Sequence, residues 1–183
     1  MSTLSPFARL PNLDVASQVV FVQIGANDGK RLTGMPCGDP IYALAKSHSW
    51  TGFALEPNPR VFPKLQKNYA YASGRVRTLN LAGAALDGTL DLYVPHHSTL
   101  PSEWASPIPS HSHGRRTKRV PVPALSIPTL WKQHVEPARV PRVDILVTDT
   151  EGYDHALLTG TNFSALAVHL RPRFILFEVG TRR

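Results

Sequence analysis

The chain has 183 residues, 42% of them hydrophobic and 18% charged, which suits one domain with a real core and excludes wholesale disorder. No run reaches the roughly 18 consecutive apolar residues of a spanning helix, the opening MSTLSPFARLPNLDVAS has no secretory-type apolar stretch, and the single cysteine, Cys37, excludes an internal disulfide framework; the expectation is a soluble, cytoplasmic protein. The net charge of +7 is local, because residues 105–135 hold Arg115, Arg116, Lys118, Arg119 and Lys132 and no acid, while the rest carries fifteen basic against thirteen acidic residues.

Residues 19–24, VVFVQI, are a nearly continuous apolar run that stops at a glycine loop, GANDG. Such a run suits a strand buried on both faces of a parallel sheet. Asp39-Pro40 supplies an N-cap and a first-turn proline ahead of a helical stripe of Ile41, Tyr42, Leu44 and Ala45. The second strand is TGFALE, residues 51–56. Asn58-Pro59 opens a helix carrying Val61, Phe62, Leu65 and Tyr69, with Pro63 placed to shift its start. A third strand is predicted at residues 76–81. Asp87-Gly88 lies between residues 82–86 and 89–94 and reads as a hairpin turn, so a small β-excursion follows the third strand.

Residues 95–119 are rich in Pro, Ser and His and show no periodicity. They read as a long mobile loop, and loops of this length inside a domain are disordered or act as lids. Trp104 would cover a ligand as part of such a lid, whereas Trp50 and Trp131 are expected to pack inside. The GRRTKR run in the loop attracts phosphate or nucleic acid, or is simply solvated; the second reading is preferred, and no nucleic-acid partner is expected. A short helix is predicted over residues 127–134, with Pro128 near its start. VDILVTD, residues 143–149, is the fourth strand, EGYDHALLTG follows as a helix closed by Gly160, and RFILFEV, residues 173–179, is the fifth. Five strands separated by helices imply one α/β domain over residues 1–183, with its core at residues 19–180 and a parallel sheet joined by right-handed crossovers.

In an open parallel sheet, ligands bind at the carboxyl ends of the strands, where strand order reverses. Three polar clusters fall there: Gly25-Ala26-Asn27-Asp28-Gly29, then Glu56, then Asp149-Thr150-Glu151-Gly152. Glycines let backbone approach a ligand and take positive φ. An acid at the end of the second strand is placed to accept both hydrogen bonds of a ribose diol. A tight turn and a strand-end surface charge would account for either feature alone. Together, one βαβ unit apart, they point to an adenosine-containing ligand.

Five blocks, VFVQIGANDGK, FALEPNPRVFPKLQKN, LNLAGAALDGTLDLYV, VPALSIPTL and VDILVTDTEGYDHALL, resemble in order the pattern of FkbM-type methyltransferases. The resemblance spans residues 19–179. It implies a class I Rossmann-like fold with strand order 3-2-1-4-5 and S-adenosylmethionine as cofactor. Carried over, it implies that Gly25, Ala26, Asn27 and Gly29, with Asp28 in the same loop, wrap the methionine part. Glu56 would bind the ribose hydroxyls, Pro57 and Asn58 would lie beside the adenosine, and Ala84 and Ala85 would face the adenine. Two features depart from the pattern. Position 23, two before Gly25, is usually acidic in this fold and is Gln23 here, which removes a carboxylate that would help hold a cationic cofactor. The chain also stops after the fifth strand, so strands 6 and 7 are expected to be missing. The fifth strand would then be an open edge presenting Phe174, Leu176 and Val179, available for pairing with a second copy.

Methyl transfer from a sulfonium is an in-line displacement that needs alignment, exclusion of water and removal of one proton. The resemblance places Asp149 and Glu151 near the transferred methyl and the acceptor. Residues i and i+2 at a strand end point the same way, so both carboxylates can reach one site. His155, one helical turn beyond Glu151, is a further candidate base. A carboxylate at a helix N-terminus, such as Glu151, also simply stabilises the dipole. Tyr153 lines the acceptor pocket or caps the core. Paired acids can hold a divalent cation, but the resemblance requires no metal, and His96, His97, His111 and His113 sit in a loop without fixed geometry, so no metal site is assigned. The expected function is O-methylation of a small-molecule or glycan hydroxyl. The alternative is a shortened, non-catalytic remnant that binds cofactor or a partner. Fold and cofactor site say little about the acceptor.

Overall fold

Val20–Ile24 (β1) is buried along its whole length because it lies at the centre of a sheet covered on both faces. The computed structural model describes residues 10–30, 39–95, 105–108 and 117–178. Around β1 the described strands are β2 (Thr51–Leu55), β3 (Val76–Leu79), β4 (Ala82–Gly83), β5 (Gly88–Pro95), β6 (Thr117–Leu125), β7 (Ile145–Thr148) and β8 (Phe174–Phe177). The α-helices are α1 (Pro40–Ser47), α2 (Phe62–Tyr69), α3 (Ile127–Leu130) and α4 (Asp154–Thr159). Five strands form one parallel sheet in the order β3-β2-β1-β7-β8. With β7 and β8 as the fourth and fifth strands, this is the expected Rossmann-like order.

Side chains alternate across β1 with period two. Val19 and Phe21 face a core shared with Ile41 and Ala45 of α1 and Leu65 and Tyr69 of α2. Val22 and Ile24 face the other way, onto Ile127, Leu130, Trp131 and Leu157. Both tryptophans are fully buried as expected. Each also satisfies its indole N–H on a backbone carbonyl, Trp50 on Val15 (2.9 Å) and Trp131 on Leu170 (2.8 Å). Asp39 caps α1, its Oδ1 accepting from the backbone N–H of Ile41 and Tyr42 at 2.8 and 3.3 Å. Pro63 does shift the second helix, which begins at Phe62 with the proline in its first turn. Among the described residues no helix is long and apolar enough to cross a membrane.

The hairpin expected at Asp87-Gly88 does not form. β5 pairs antiparallel with the distant β6, and the short β4 joins β6 in parallel, giving a second sheet of order β4-β6-β5. Asp87 instead reaches the start of α3, where it accepts from Ser126 N (2.7 Å) and Thr129 Oγ1 (2.6 Å). The local turn signal loses to an eight-pair register between β5 and β6, running from Gly88–Ala124 to Pro95–Thr117. β6 carries Pro121 and Pro123, residues that the middle strand of a sheet rarely holds. Ala84 N donates to Leu125 O (2.9 Å), so the odd residues of β6 direct their backbone toward β4. That strand reaches only Ala124 and Leu125. Both prolines therefore turn the side that lacks an N–H to where no ladder is built among the described residues.

Of the segment read as a long loop, residues 96–104 and 109–116 lie outside the described residues, and only its ends and residues 105–108 are seen. Pro95 ends β5, residues 117–119 belong to β6, and Ser106 forms a bridge with Tyr93. Trp104 and the histidines at 96, 97, 111 and 113 lie outside the described residues. The helix predicted at residues 127–134 is longer, since α3 continues through a wide π-type turn at Trp131–Val135 and a 3-10 turn at Glu136–Ala138. On β8 the exposed apolar side chains are Ile175 and Phe177. Phe174 and Leu176, expected on the open side, are half-buried, and Leu176 packs on the α1/α2 core.

Candidate functional site

At the carboxyl ends of β1, β2 and β7 the chain encloses a cleft of about 770 Å³, part of it continuous with solvent. Of the residues singled out in the sequence, Gly25, Ala26, Asn27, Glu56, Pro57, Asp149 and Glu151 line it together. Gly25 stands where two loops nearly touch. Its φ is +84°, and a Cβ there would lie 1.9 Å from the Asp149 carbonyl oxygen, so only glycine lets the β1 and β7 loops close on one another.

The glycine loop uses its own amides internally. Gly25 N and Ala26 N donate to Leu55 O at 3.0 and 2.7 Å, and Gly29 N to Ala26 O at 2.9 Å. Asn27 N donates to Glu56 Oε2 at 2.9 Å, Asp28 N to Asn27 Oδ1, and Lys30 N to Asp28 Oδ1. A loop that binds pyrophosphate leaves such N–H groups pointing at the ligand. This one offers none from Gly25 to Lys30, so it is not a phosphate cradle.

Glu56 occupies the junction of the β1 and β2 loops. Oε2 accepts from Asn27 N and Oε1 from Asn58 N at 2.8 Å, and the side chain is buried. An ionised carboxylate has about four acceptor sites, so each oxygen keeps capacity for a ligand hydroxyl. Burial, with the charges of Asp149 and Asp28, pushes its pKa up to about 7 despite those two amides. Asp149 is pushed up to about 6 by burial, then by Glu178, Asp154 and Asp39. Glu151 is raised to about 7 by burial and by Asp149, Glu178, Asp154 and Glu56. Glu151 and Asn27 both hold left-handed backbone, with φ of 53° and 51°, a conformation costly for residues with a side chain and concentrated at ligand sites.

Other expected residues play supporting parts. Asn58 is buried and shapes the turn into α2, its Oδ1 accepting from Arg60 N (3.0 Å). Asp28 O accepts from Asn68 Nδ2 (2.6 Å), and Gly29, with φ +78°, lies against the Tyr69 ring. Ala84 packs into the β5/β6 core, while Ala85 lies against Gly160. The cleft wall falls two residues earlier, on Ala82 and Gly83. His155 is exposed on α4 and does not line the cleft, and Tyr153 packs between two cores.

The structure adds residues that the sequence did not single out for the site. Leu90 and Leu92 of β5 and Ala105 and Pro107 give the cleft an apolar wall. The 105–108 segment is pinned there by Ser106, which is buried and whose Oγ donates to Glu151 O (2.9 Å) and accepts from Ile108 N (3.0 Å). Gln23 and Asp39 also line the cleft; both are buried, and Gln23 Nε2 donates to Asp39 Oδ2 at 2.7 Å. Thus Asp39, read only as a helix cap, also faces the ligand space. No signal in the sequence pairs residues from a strand end and a helix start unless the fold is already known.

The lining residues described comprise four carboxylates, Asp39, Glu56, Asp149 and Glu151, and no Lys, Arg or His. Acceptors without fixed cations suit a ligand that carries hydroxyls and positive charge. A sulfonium nucleoside with an amino-acid tail has that chemistry, so the residues present fit S-adenosylmethionine. Among the described residues, no group of three His, Cys, Asp or Glu side chains is arranged to hold a metal ion. No curated protein and no solved structure matches the chain. The family model described as the methyltransferase FkbM domain matches residues 23–183, from the strand that opens the cleft through every loop that lines it, and the chain belongs to that family.

Proposed function

We propose that the protein transfers a methyl group from S-adenosylmethionine to a hydroxyl of a small molecule or glycan. The observation that carries this reading is Glu56, anchored by two backbone amides at the meeting point of the β1 and β2 loops, with an acceptor site left on each oxygen. That arrangement suits a vicinal diol such as ribose. The bound cofactor supplies an electrophilic methyl group. Gly25, Ala26 and Asn27 give it a close backbone wall, and Pro57 flanks the nucleoside. Leu90, Leu92, Ala105 and Pro107 exclude water from the reacting end. A carboxylate oxygen of Glu151 takes the acceptor's hydroxyl proton. Its pKa of about 7 leaves it a competent base near neutral pH, while Asp149 beside it orients the hydroxyl.

Calorimetry with S-adenosylhomocysteine tests the cofactor half. The wild-type protein should bind it, and Glu56→Ala should weaken binding by about 1–3 kcal/mol, the usual loss for a hydrogen-bonding partner with charge. A well-folded wild-type protein that binds no nucleoside would overturn the proposal. Binding without transfer to any hydroxyl acceptor would instead favour the non-catalytic remnant. We also propose that two copies pair along β8, which among the described residues is bonded only to β7 and exposes Ile175 and Phe177.

A further inference from the structure

Gln23 lies near the end of β1 and lines the cleft, and its side chain is 4% exposed with Oε1 lacking any hydrogen-bond partner. An orphaned buried carbonyl oxygen is destabilising, so it calls for a donor. Its amide nitrogen is spent on Asp39 Oδ2 at 2.7 Å. Asp39 is 3% exposed and lines the same end of the cleft. The pair forms because β1 directs Gln23 to the face that α1 covers, beyond Phe21, where the α1 N-terminus ends over the strand. Neither cation nor water is needed to explain the cap bonds of Asp39 Oδ1; they leave Oδ2 turned to Gln23 and the cleft.

We infer that Gln23 and Asp39 together form the ammonium-binding end of the cofactor cleft, Gln23 Oε1 accepting one N–H and Asp39 supplying the negative charge that position 23 lacks. The inference rests on the cofactor reading above. It explains two otherwise unfavourable features at once: a carboxylate buried with no cation bonded to it among the described residues, and a buried amide oxygen with no donor among them. Burial holds Asp39 at a pKa of about 6, and a cation docking beside it would favour the ionised form. The departure at position 23 thus moves the charge by one side chain, from the strand end to the helix cap, rather than deleting it.

The test compares two probes by calorimetry: S-adenosylhomocysteine, and its analogue lacking only the amino group. Asp39→Asn is the informative variant, because asparagine caps a helix as well as aspartate does; it removes the charge, and its amide donor in place of Oδ2 is met by Gln23 turning its own amide over, which also uses up Oε1. The wild-type protein should bind S-adenosylhomocysteine more tightly than the desamino analogue. Asp39→Asn should weaken the first by about tenfold or more, the scale of a charge-assisted hydrogen bond, and change the second less than twofold. Gln23→Met, which keeps the volume and removes the acceptor, should show the same selectivity and serves if Asp39→Asn does not fold. Equal weakening of both probes, or of neither, would overturn the inference while leaving the cofactor reading standing. A folded wild-type protein that binds neither probe would overturn both.

Discussion

Glu56 shows how a single residue ties stability to ligand chemistry. Burial raises its pKa from 4.5 to about 7, so ionising it inside the folded protein costs roughly 3 kcal/mol at about 1.4 kcal/mol per pH unit. Asp39, Asp149 and Glu151 are raised in the same direction. Each group binds its proton more tightly folded than unfolded, so the folded state holds more protons between about pH 4 and pH 7. Stability of the ligand-free protein therefore falls as pH rises through that window. Thermal unfolding should give a lower midpoint at pH 8 than at pH 5. Affinity for S-adenosylmethionine should run the opposite way, because the ionised carboxylates are the forms that attract a cation. A midpoint that rises steadily from pH 5 to pH 8 without ligand would show that these acids are not buried as the structure has them.

At the scale of elements, the second sheet decides what kind of pocket the parallel sheet carries. β5 and β6 place Leu90 and Leu92 over the carboxyl ends of β1 and β7, and the Ser106 segment bridges from Tyr93 to the loop after β7. Ser106 ties β5 to the loop after β7 by hydrogen bonds. Ser106→Ala removes both hydroxyl bonds at a buried site, a loss of about 1–2 kcal/mol. Because the segment is short, the effect should be mostly local. Hydrogen exchange at residues 105–108 should accelerate strongly while β1 and β7 stay protected. Methyl transfer should drop more than cofactor affinity, since the wall faces the reacting end. Unchanged exchange would mean that the backbone bridge to Tyr93 holds the segment unaided.

For the whole molecule, the open question of association lies on β8. Ile175 is 38% exposed and Phe177 53% exposed, on a strand whose far side carries no ladder among the described residues. Unpaired backbone beside apolar side chains invites strand addition by another chain. Sedimentation should show a concentration-dependent dimer, and Phe177→Lys, a charge at the edge, should shift it to monomer without loss of cofactor binding. A monomer at every concentration would refute pairing through β8. What the sequence by itself determined was the frame: the unbroken burial of residues 19–24, the Asp39-Pro40 cap, five strands separated by helices and the residues of the three strand-end loops. These are local signals, repeated along the chain and consistent with one another. Only the tertiary structure decided which strand pairs with β5, why Pro121 and Pro123 are tolerated, which face of β8 is exposed, and that Gln23 meets Asp39. Each depends on contacts between segments distant in the chain, where an eight-pair register outweighs a two-residue turn signal and a buried amide bond is invisible until a strand and a helix are packed together.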